Sequence, residues 1–149
     1  MRVLIWIVED TWKATVAAAA AFLPADAEVT LLYVMDSEAE AVTRGARHGL
    51  LGRSYSTLDQ SLRTLSEQSA QDLLAEAQTL LGRQAASEGL RGHVKREVVA
   101  AAEEMDLLVL ARDGDHTHSG PRSLGHTARY VVEHAACAVL LVWPDSGSG

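Results

Sequence analysis

The chain has 149 residues, of which 48% are hydrophobic and 22% charged, which is typical of one globular domain. Its formal net charge of -7 excludes nucleic-acid binding by bulk electrostatic attraction, because no basic surplus is present to neutralise phosphates. One cysteine, and no apolar run near the ~18 residues of a membrane span, predict a cytoplasmic protein without a disulfide framework and without a membrane or nucleic-acid partner.

The first third of the chain alternates strand and helix patterns. The apolar run at residues 3–8 predicts a buried strand, and residues 12–23 predict a helix that Thr11 caps. Residues 29–34 predict a second strand. Residues 36–56 lose periodicity and gather glycines and arginines, which is typical of a long connection that serves as a lid or is disordered.

A long helix is predicted to follow this connection. Ser56 and Asp59 resemble a capping box with a shortened acid, and Gly82 marks the end of the helix. An apolar stripe at helical spacing predicts its buried face. The residues of this stripe are Leu58, Leu62, Leu65, Leu73, Ala77 and Leu80.

The pattern of the last third points most directly to a function. Residues 98–105 predict a short helix, residues 107–111 a strand covered on both faces, and residues 112–124 a glycine-containing loop. Gly125 then opens another helix. Such a loop is an anion site, because unpaired backbone N–H groups and the helix dipole both favour negative charge. We therefore predict a phosphate-bearing ligand.

Alternating strands and helices predict an α/β fold, namely a doubly wound, Rossmann-like parallel sheet with helices on both faces. Ligands of such sheets bind beyond the carboxyl ends of the strands, where the strand order reverses. The ends of the first strand, residues 8–11, and of the fourth, residues 111–114, should meet there. Residues 1–143 are predicted to form this one domain, and residues 144–149 a disordered Gly/Ser-rich tail.

Residues 125–142, GHTARYVVEHAACAVLLV, resemble the C-terminal signature of universal stress protein domains. In that family the last helix runs through a His-Ala-Pro-Cys-Pro-type turn into the final strand. Residues 134–138 keep the His-Ala and the Cys, with alanine in place of both prolines. Residues 3–8 and 28–36 resemble the first two strands of the family. The resemblance covers nearly the whole chain and implies five parallel strands in the order 3-2-1-4-5.

One departure from the family concerns the third strand. Residues 91–97 resemble the turn that normally follows this strand, and residues 85–90 contain little apolar sequence. The third strand is therefore predicted to be shortened, frayed or missing, which an edge strand tolerates.

The resemblance also implies an ATP site, with Mg2+ bound alongside the nucleotide. The phosphate loop of the family reads glycine, two residues, glycine, nine residues, glycine, then serine or threonine. Gly114 and Gly125 match its second and third glycines, with one residue too many between them. Ala111 replaces the first glycine, adding a methyl group where backbone approaches ligand, and His126 replaces the hydroxyl residue.

Two further strand ends complete the implied site. Glu9 stands near the aspartate that contacts ribose or adenine in the family, and Val34 matches the position whose backbone contacts adenine. The full candidate set is Val8, Glu9, Thr11, Val34, Ala111, Arg112, Gly114, Ser123, Gly125, His126 and Thr127. Asp10, Asp113 and Asp115 place negative charge near the expected phosphates, which is unfavourable.

The same departures leave a second interpretation open, in which the loop has degenerated and the domain is a dimeric interaction module. The final strand, residues 138–143, is apolar with no charge to protect an edge, which predicts a homodimer through Val139, Leu141 and Trp143. Under either interpretation, the resemblance implies a domain that acts in a stress response through an unknown protein partner.

Motifs for catalysis and for a resident metal are weak. The chain has no Gly-x-Ser-x-Gly elbow and no P-loop, and its only lysines are Lys13 and Lys95, so we predict no enzymatic activity. His116 and His118 with nearby acids are spaced too loosely for a specific zinc or nickel site, and a solvated polar loop is the preferred interpretation.

Overall fold

The computed structural model describes residues 1–37 and 55–144, with side chains described for residues 1–37 and 64–144. The strands are β1 Arg2–Trp6, β2 Glu28–Asp36, β3 Ala86–Gly92, β4 Leu107–Ala111 and β5 Ala138–Val142. The helices are α1 Trp12–Phe22, α2 Tyr55–Leu81, α3 Val94–Ala102, α4 Pro121–Leu124 and α5 His126–His134. The strands form one parallel five-stranded sheet in the order β3-β2-β1-β4-β5. The predicted fold class and strand order are confirmed.

Helices cover both faces of this sheet because its central strands are apolar on both sides. Val3 and Ile5 of β1 face the layer formed by α1 and α2. Leu4 and Trp6 face the layer formed by α3 and α5. All four side chains are buried, so β1 lies at the centre of the molecule.

The prediction of a shortened, frayed or missing third strand is wrong. All seven residues of β3 pair in parallel with β2, from Ala86 opposite Thr30 to Gly92 opposite Asp36. Residues 86–89 are exposed, and Leu90 packs against the core. Backbone hydrogen bonds to β2 hold this edge strand, and such bonds do not require apolar side chains. Of the predicted turn at residues 91–97, Arg91 and Gly92 end β3, His93 is the N-cap residue, and residues 94–97 already belong to α3.

The apolar stripe predicted for α2 is partly wrong. The buried positions are Ala70, Leu74, Ala77 and Leu81, which follow the spacing of one helical face. Of the predicted stripe, Ala77 is buried and Leu73 packs against the core, but Leu65 and Leu80 are 63% and 46% exposed. The predicted stripe follows mainly the leucines and leaves out Ala70, although alanines form half of the buried face.

Several predictions fall outside what the structure describes. These are residues 38–54 of the predicted connection, the side chains of the proposed capping box and of Leu58 and Leu62, and the tail at residues 145–149. The predicted bounds of the connection are wrong at both ends, because Asp36 ends β2 and Tyr55 and Ser56 already belong to α2.

Helix boundaries differ from the prediction mainly at α3 and in the loop after β4. Helix α3 begins at Val94, four residues before the predicted start, and ends at Ala102. The one-turn helix α4, with Pro121 in its first turn, was not predicted. Thr11 does occupy the N-cap position of α1, but its hydroxyl forms no capping hydrogen bond. Within residues 1–37 and 55–144, no helix combines the length and apolar character needed to cross a membrane.

Candidate functional site

The carboxyl ends of β1, β2 and β4 lie side by side at one edge of the sheet. The register pairs Ile5 of β1 with Leu31 of β2 on one side and with Val109 of β4 on the other. Extending this register places Val8 beside Val34 and beside the start of the loop after β4. The predicted meeting of the first and fourth strand ends is confirmed. It forms the switch point at which sheets of this kind bind ligands.

Val8 and Val34 are anchored by the core beneath this edge. Val34 is 6% exposed, and Val8 packs against the same cluster, which α3 and α5 cover. Their side chains are therefore structural, and what they present at the edge is backbone. The peptide chain after β1 is also fixed, because the backbone N–H of Ile7 donates to the carbonyl oxygen of Leu32 at 2.8 Å.

A tyrosine that sequence reasoning missed holds Glu9 in place. The Tyr33 hydroxyl donates to Oε1 of Glu9 at 2.8 Å, across the ends of β2 and β1. Burial of the phenol, then its hydrogen bond to Glu9 and the charge of that carboxylate, raise the pKa of Tyr33 to about 12. The hydroxyl thus stays protonated at physiological pH and continues to donate to Glu9. A tyrosine near the end of one strand and a glutamate just after the neighbouring strand were the available sequence signal.

A polar cleft of about 380 Å³ opens beside Glu9. Its lining residues are Glu9, Asp10, Thr11, Trp12, Lys13, Ala14 and Pro144. The Trp12 side chain mostly belongs to the core on the α1 face and is only 9% exposed. The cleft is thus bounded by the start of α1 and by the chain leaving β5, and two carboxylates, those of Glu9 and Asp10, line it.

The backbone N–H groups of the loop after β4 form hydrogen bonds within the chain. Three consecutive N–H groups of this loop donate to carbonyl oxygens in and around α4. The bonds run from Asp113 to Leu124 at 3.2 Å, from Gly114 to Ser123 at 3.0 Å and from Asp115 to Arg122 at 2.9 Å. A Cβ atom on Gly114 would overlap the Arg122 carbonyl oxygen and lie 2.8 Å from the Gly125 nitrogen. Glycine is therefore required for this close approach, and the three N–H groups serve loop structure.

Arg112 and Ser123 bind each other under this loop. Ser123 is fully buried; its hydroxyl donates to the carbonyl oxygen of Gly120 at 2.7 Å and accepts from Nη1 of Arg112 at 2.8 Å. The Arg112 guanidinium also lies 5.6 Å from the centre of the Trp143 ring, and the His116 ring lies 5.8 Å from the same centre. Both predicted ligand-binding side chains are thus engaged within the chain.

The first turn of α5 faces a carboxylate of the same chain. Gly125, at the N-cap, has a φ of +83°, and a Cβ there would overlap Oδ1 of Asp113. The backbone N–H of Ala128 donates to the Asp113 carboxylate. Although the residue as a whole is exposed, partial desolvation of its carboxyl group raises the pKa of Asp113, opposed by that hydrogen bond. Asp113 was not among the predicted binding residues, since its contact spans twelve residues of loop.

The remaining predicted site residues lie in the first turn of α5 and at the end of β4. His126 is exposed and Thr127 half-buried, both in the first turn of α5. Ala111 packs into the core on the α1 face and is 8% exposed, so its methyl group points away from the loop.

The histidines of this loop make local contacts. His116 Nε2 lies 2.9 Å from the Arg112 carbonyl oxygen, and Asp115 accepts hydrogen bonds from the backbone and hydroxyl of Thr117 at 3.0 and 2.6 Å. Among the side chains that the structure describes, no three His, Cys, Asp or Glu residues are placed to hold a metal ion.

The sequence model of the universal stress protein family matches residues 2–142 of the chain. The chain belongs to the universal stress protein family. No curated protein matches this universal stress protein domain.

Solved structures share its fold. Hypothetical protein MJ0577 superimposes with a TM-score of 0.72 at 18% identity, over 95% of this chain and 94% of that one. The universal stress protein UspA from Lactobacillus plantarum does so with a TM-score of 0.61 at 21% identity, over 95% and 97%. A universal stress protein in complex with cAMP gives a TM-score of 0.61 at 15% identity, over 97% of each chain. This universal stress protein domain therefore spans nearly the full length of these structures.

Proposed function

We propose that this universal stress protein domain binds an adenine nucleotide at the carboxyl edge of β1, β2 and β4. The observation that carries the proposal is the convergence of Val8, Val34 and the loop from Gly114 to Gly125 at the switch point of the sheet. One structural neighbour was solved in complex with cAMP, which supports an adenine ligand for the fold.

The nucleoside end of such a ligand has suitable partners. The backbone at Val8 and Val34 would contact adenine, and the Glu9 carboxylate, held by Tyr33, would accept from ribose hydroxyls. The phosphate end would find fewer hydrogen-bond donors, because N–H groups of the loop already donate to carbonyl oxygens of α4. His126, Thr127 and Gly125 at the start of α5 remain the residues that would meet phosphate. Mg2+ would accompany the phosphates of ATP.

The proposal describes a cytoplasmic binding domain that acts on a protein partner, without catalysis. The motifs for nucleophilic chemistry and for P-loop hydrolysis are missing from the sequence. The single cysteine, Cys137, supports a reducing compartment.

Calorimetric titration of nucleotide-free protein with adenosine, AMP and Mg-ATP tests this function. We expect saturable 1:1 binding of at least one adenine ligand with a Kd below about 100 μM. Glu9→Ala should weaken that binding about five-fold or more, because it removes the charged acceptor proposed for the ribose hydroxyls. Asp26→Ala is the matched control, since Asp26 is also exposed but precedes β2 at the opposite edge of the sheet. No heat with any of the three ligands would contradict the function.

The second candidate function is a dimeric interaction module whose loop is filled by its own side chains. The pairing of Arg112 with Ser123 and of Asp113 with the start of α5 favours it. The two candidates are not exclusive, because pairing through the edge strand leaves the switch point open.

We propose a homodimer formed through the edge strand β5. Val139 and Leu141 are half-buried on the α3 and α5 face, and Ala138 is exposed. Trp143 lies beyond the strand and packs against Arg112, so Val139 and Leu141 form the main part of the proposed interface. Exposed strand edges favour pairing with another chain.

Light scattering after size exclusion tests the dimer. Wild-type protein should elute with the mass of two chains, and Leu141→Lys should shift it to one chain with an unchanged far-UV spectrum. Leu80→Lys places the same charge on exposed α2 and should stay dimeric. Wild-type protein that is monomeric at high concentration would refute the interface.

A further inference from the structure

The N-terminus of α5 is the place where a bound phosphate would find helix N–H groups and a favourable dipole. In this chain a carboxylate already lies there. The Asp113 carboxyl group abuts Gly125 so closely that no side chain fits between them, and it accepts from the N–H of Ala128. Gly125 has no side chain to cap the helix, and Asp113 takes over that role from the loop.

The rest of the loop reinforces this arrangement. The backbone N–H of Asp113 donates to the Leu124 carbonyl oxygen, which fixes the residue next to the start of α5. The side chains of His116 and His126 lie near enough to interact with the carboxylate electrostatically. Asp113 is thus held by backbone on one side and by the helix terminus on the other.

A ligand phosphate at this position would meet a like charge and would have to compete for the same N–H group. The unfavourable interaction grows with the number of ligand charges near the helix terminus. An uncharged nucleoside would not meet it, since the adenine and ribose contacts proposed above lie at the ends of β1 and β2.

We propose that Asp113 is a specificity-determining residue that acts as an internal substitute for ligand phosphate and directs the site towards adenine ligands of low negative charge. The inference rests on the proposed adenine site. It assigns adenosine and the monophosphate as the preferred class, and a polyphosphate as the ligand that Asp113 excludes.

The test compares wild type, Asp113→Asn and Asp115→Asn by titration with adenosine, AMP and Mg-ATP. Asp113→Asn keeps the shape and an acceptor for Ala128 but removes the charge. It should tighten Mg-ATP binding on the order of ten-fold and change adenosine binding less than about two-fold. Asp115→Asn is the matched control, because Asp115 lies in the same loop but binds Thr117 instead of the helix terminus. It should leave the Mg-ATP affinity within about two-fold of wild type.

A second readout does not depend on adenine binding. Inorganic tripolyphosphate should raise the melting temperature of Asp113→Asn and Asp113→Ala more than that of wild type. Equal Mg-ATP affinities in wild type and Asp113→Asn, or equal shifts with tripolyphosphate, would overturn the role of Asp113. No adenine ligand bound by any variant, together with a tripolyphosphate shift confined to the Asp113 variants, would overturn the adenine site and support the charge exclusion.

Discussion

Gly114→Ala should lower the free energy of unfolding by about 3 kcal/mol or more. The added Cβ would overlap the carbonyl oxygen of Arg122 and lie within 3.0 Å of the carbonyl carbon of Ser123. Both are backbone atoms, so no side-chain rotation relieves the overlap. The loop must separate from α4 and lose the hydrogen bonds that join them. Urea unfolding followed by far-UV circular dichroism measures the change.

Gly89→Ala is the matched control for this substitution. Gly89 lies in the exposed part of β3, and the nearest atom to an added Cβ is the methyl carbon of Met35 at 4.0 Å. We expect a change within about 0.5 kcal/mol. A Gly114→Ala protein as stable as Gly89→Ala would show that the loop does not approach α4 as described.

Gly125→Ala should cost about 2 to 3 kcal/mol, from two separable causes. The residue has a φ of +83°, which strains any side-chain-bearing residue, and the new Cβ would displace the Asp113 carboxylate from the helix terminus. Because the second cause involves a side chain, Gly125→Ala combined with Asp113→Ala should be less destabilised than the sum of the two single variants. The expected coupling is about 1 kcal/mol in a double-mutant cycle of unfolding free energies.

Gly120→Ala separates the strain from the overlap. Gly120 also has a positive φ, +123°, but no atom lies within 4 Å of an added Cβ. It should therefore show the backbone cost alone, about 1 to 2 kcal/mol, and no coupling to Asp113→Ala. Additive effects of Gly125→Ala and Asp113→Ala would contradict the contact between the two residues.

The central strands of the fold were predictable because burial on both faces leaves an unmistakable apolar run. β4 was predicted with its observed ends, Leu107 and Ala111, and β1 and β2 within two residues at each end. The edge strand β3 was not predicted at its full length. It is held by backbone pairing with β2, and its exposed side chains carry no apolar signal. The buried face of α2 was misassigned because half of it consists of alanines, which give a weaker apolar signal than leucines.

The candidate site was predictable in position but not in its internal contacts. Strand order alone brings the ends of β1 and β4 together, and glycine spacing indicated the loop that follows β4. The bond from Tyr33 to Glu9, the burial of Ser123 beneath Arg112 and the cap that Asp113 provides all join residues far apart in sequence. The contacts of Ser123 and Asp113 follow from how the loop folds back on α4, and the bond from Tyr33 to Glu9 follows from the register of β2 against β1. Residue spacing specifies neither.

The most direct test of the account is nuclear magnetic resonance mapping of the backbone amides during titration with AMP. We predict that saturable shifts concentrate at residues 8–11, at residues 34–36 and in the first turn of α5. Amides at the opposite edge of the sheet, around Asp26 and Asp106, should stay unchanged. No shifts at saturating AMP, or shifts centred on the separate groove between α2 and β3 that Leu74, Ser87 and Arg91 line, would contradict an adenine site at the switch point.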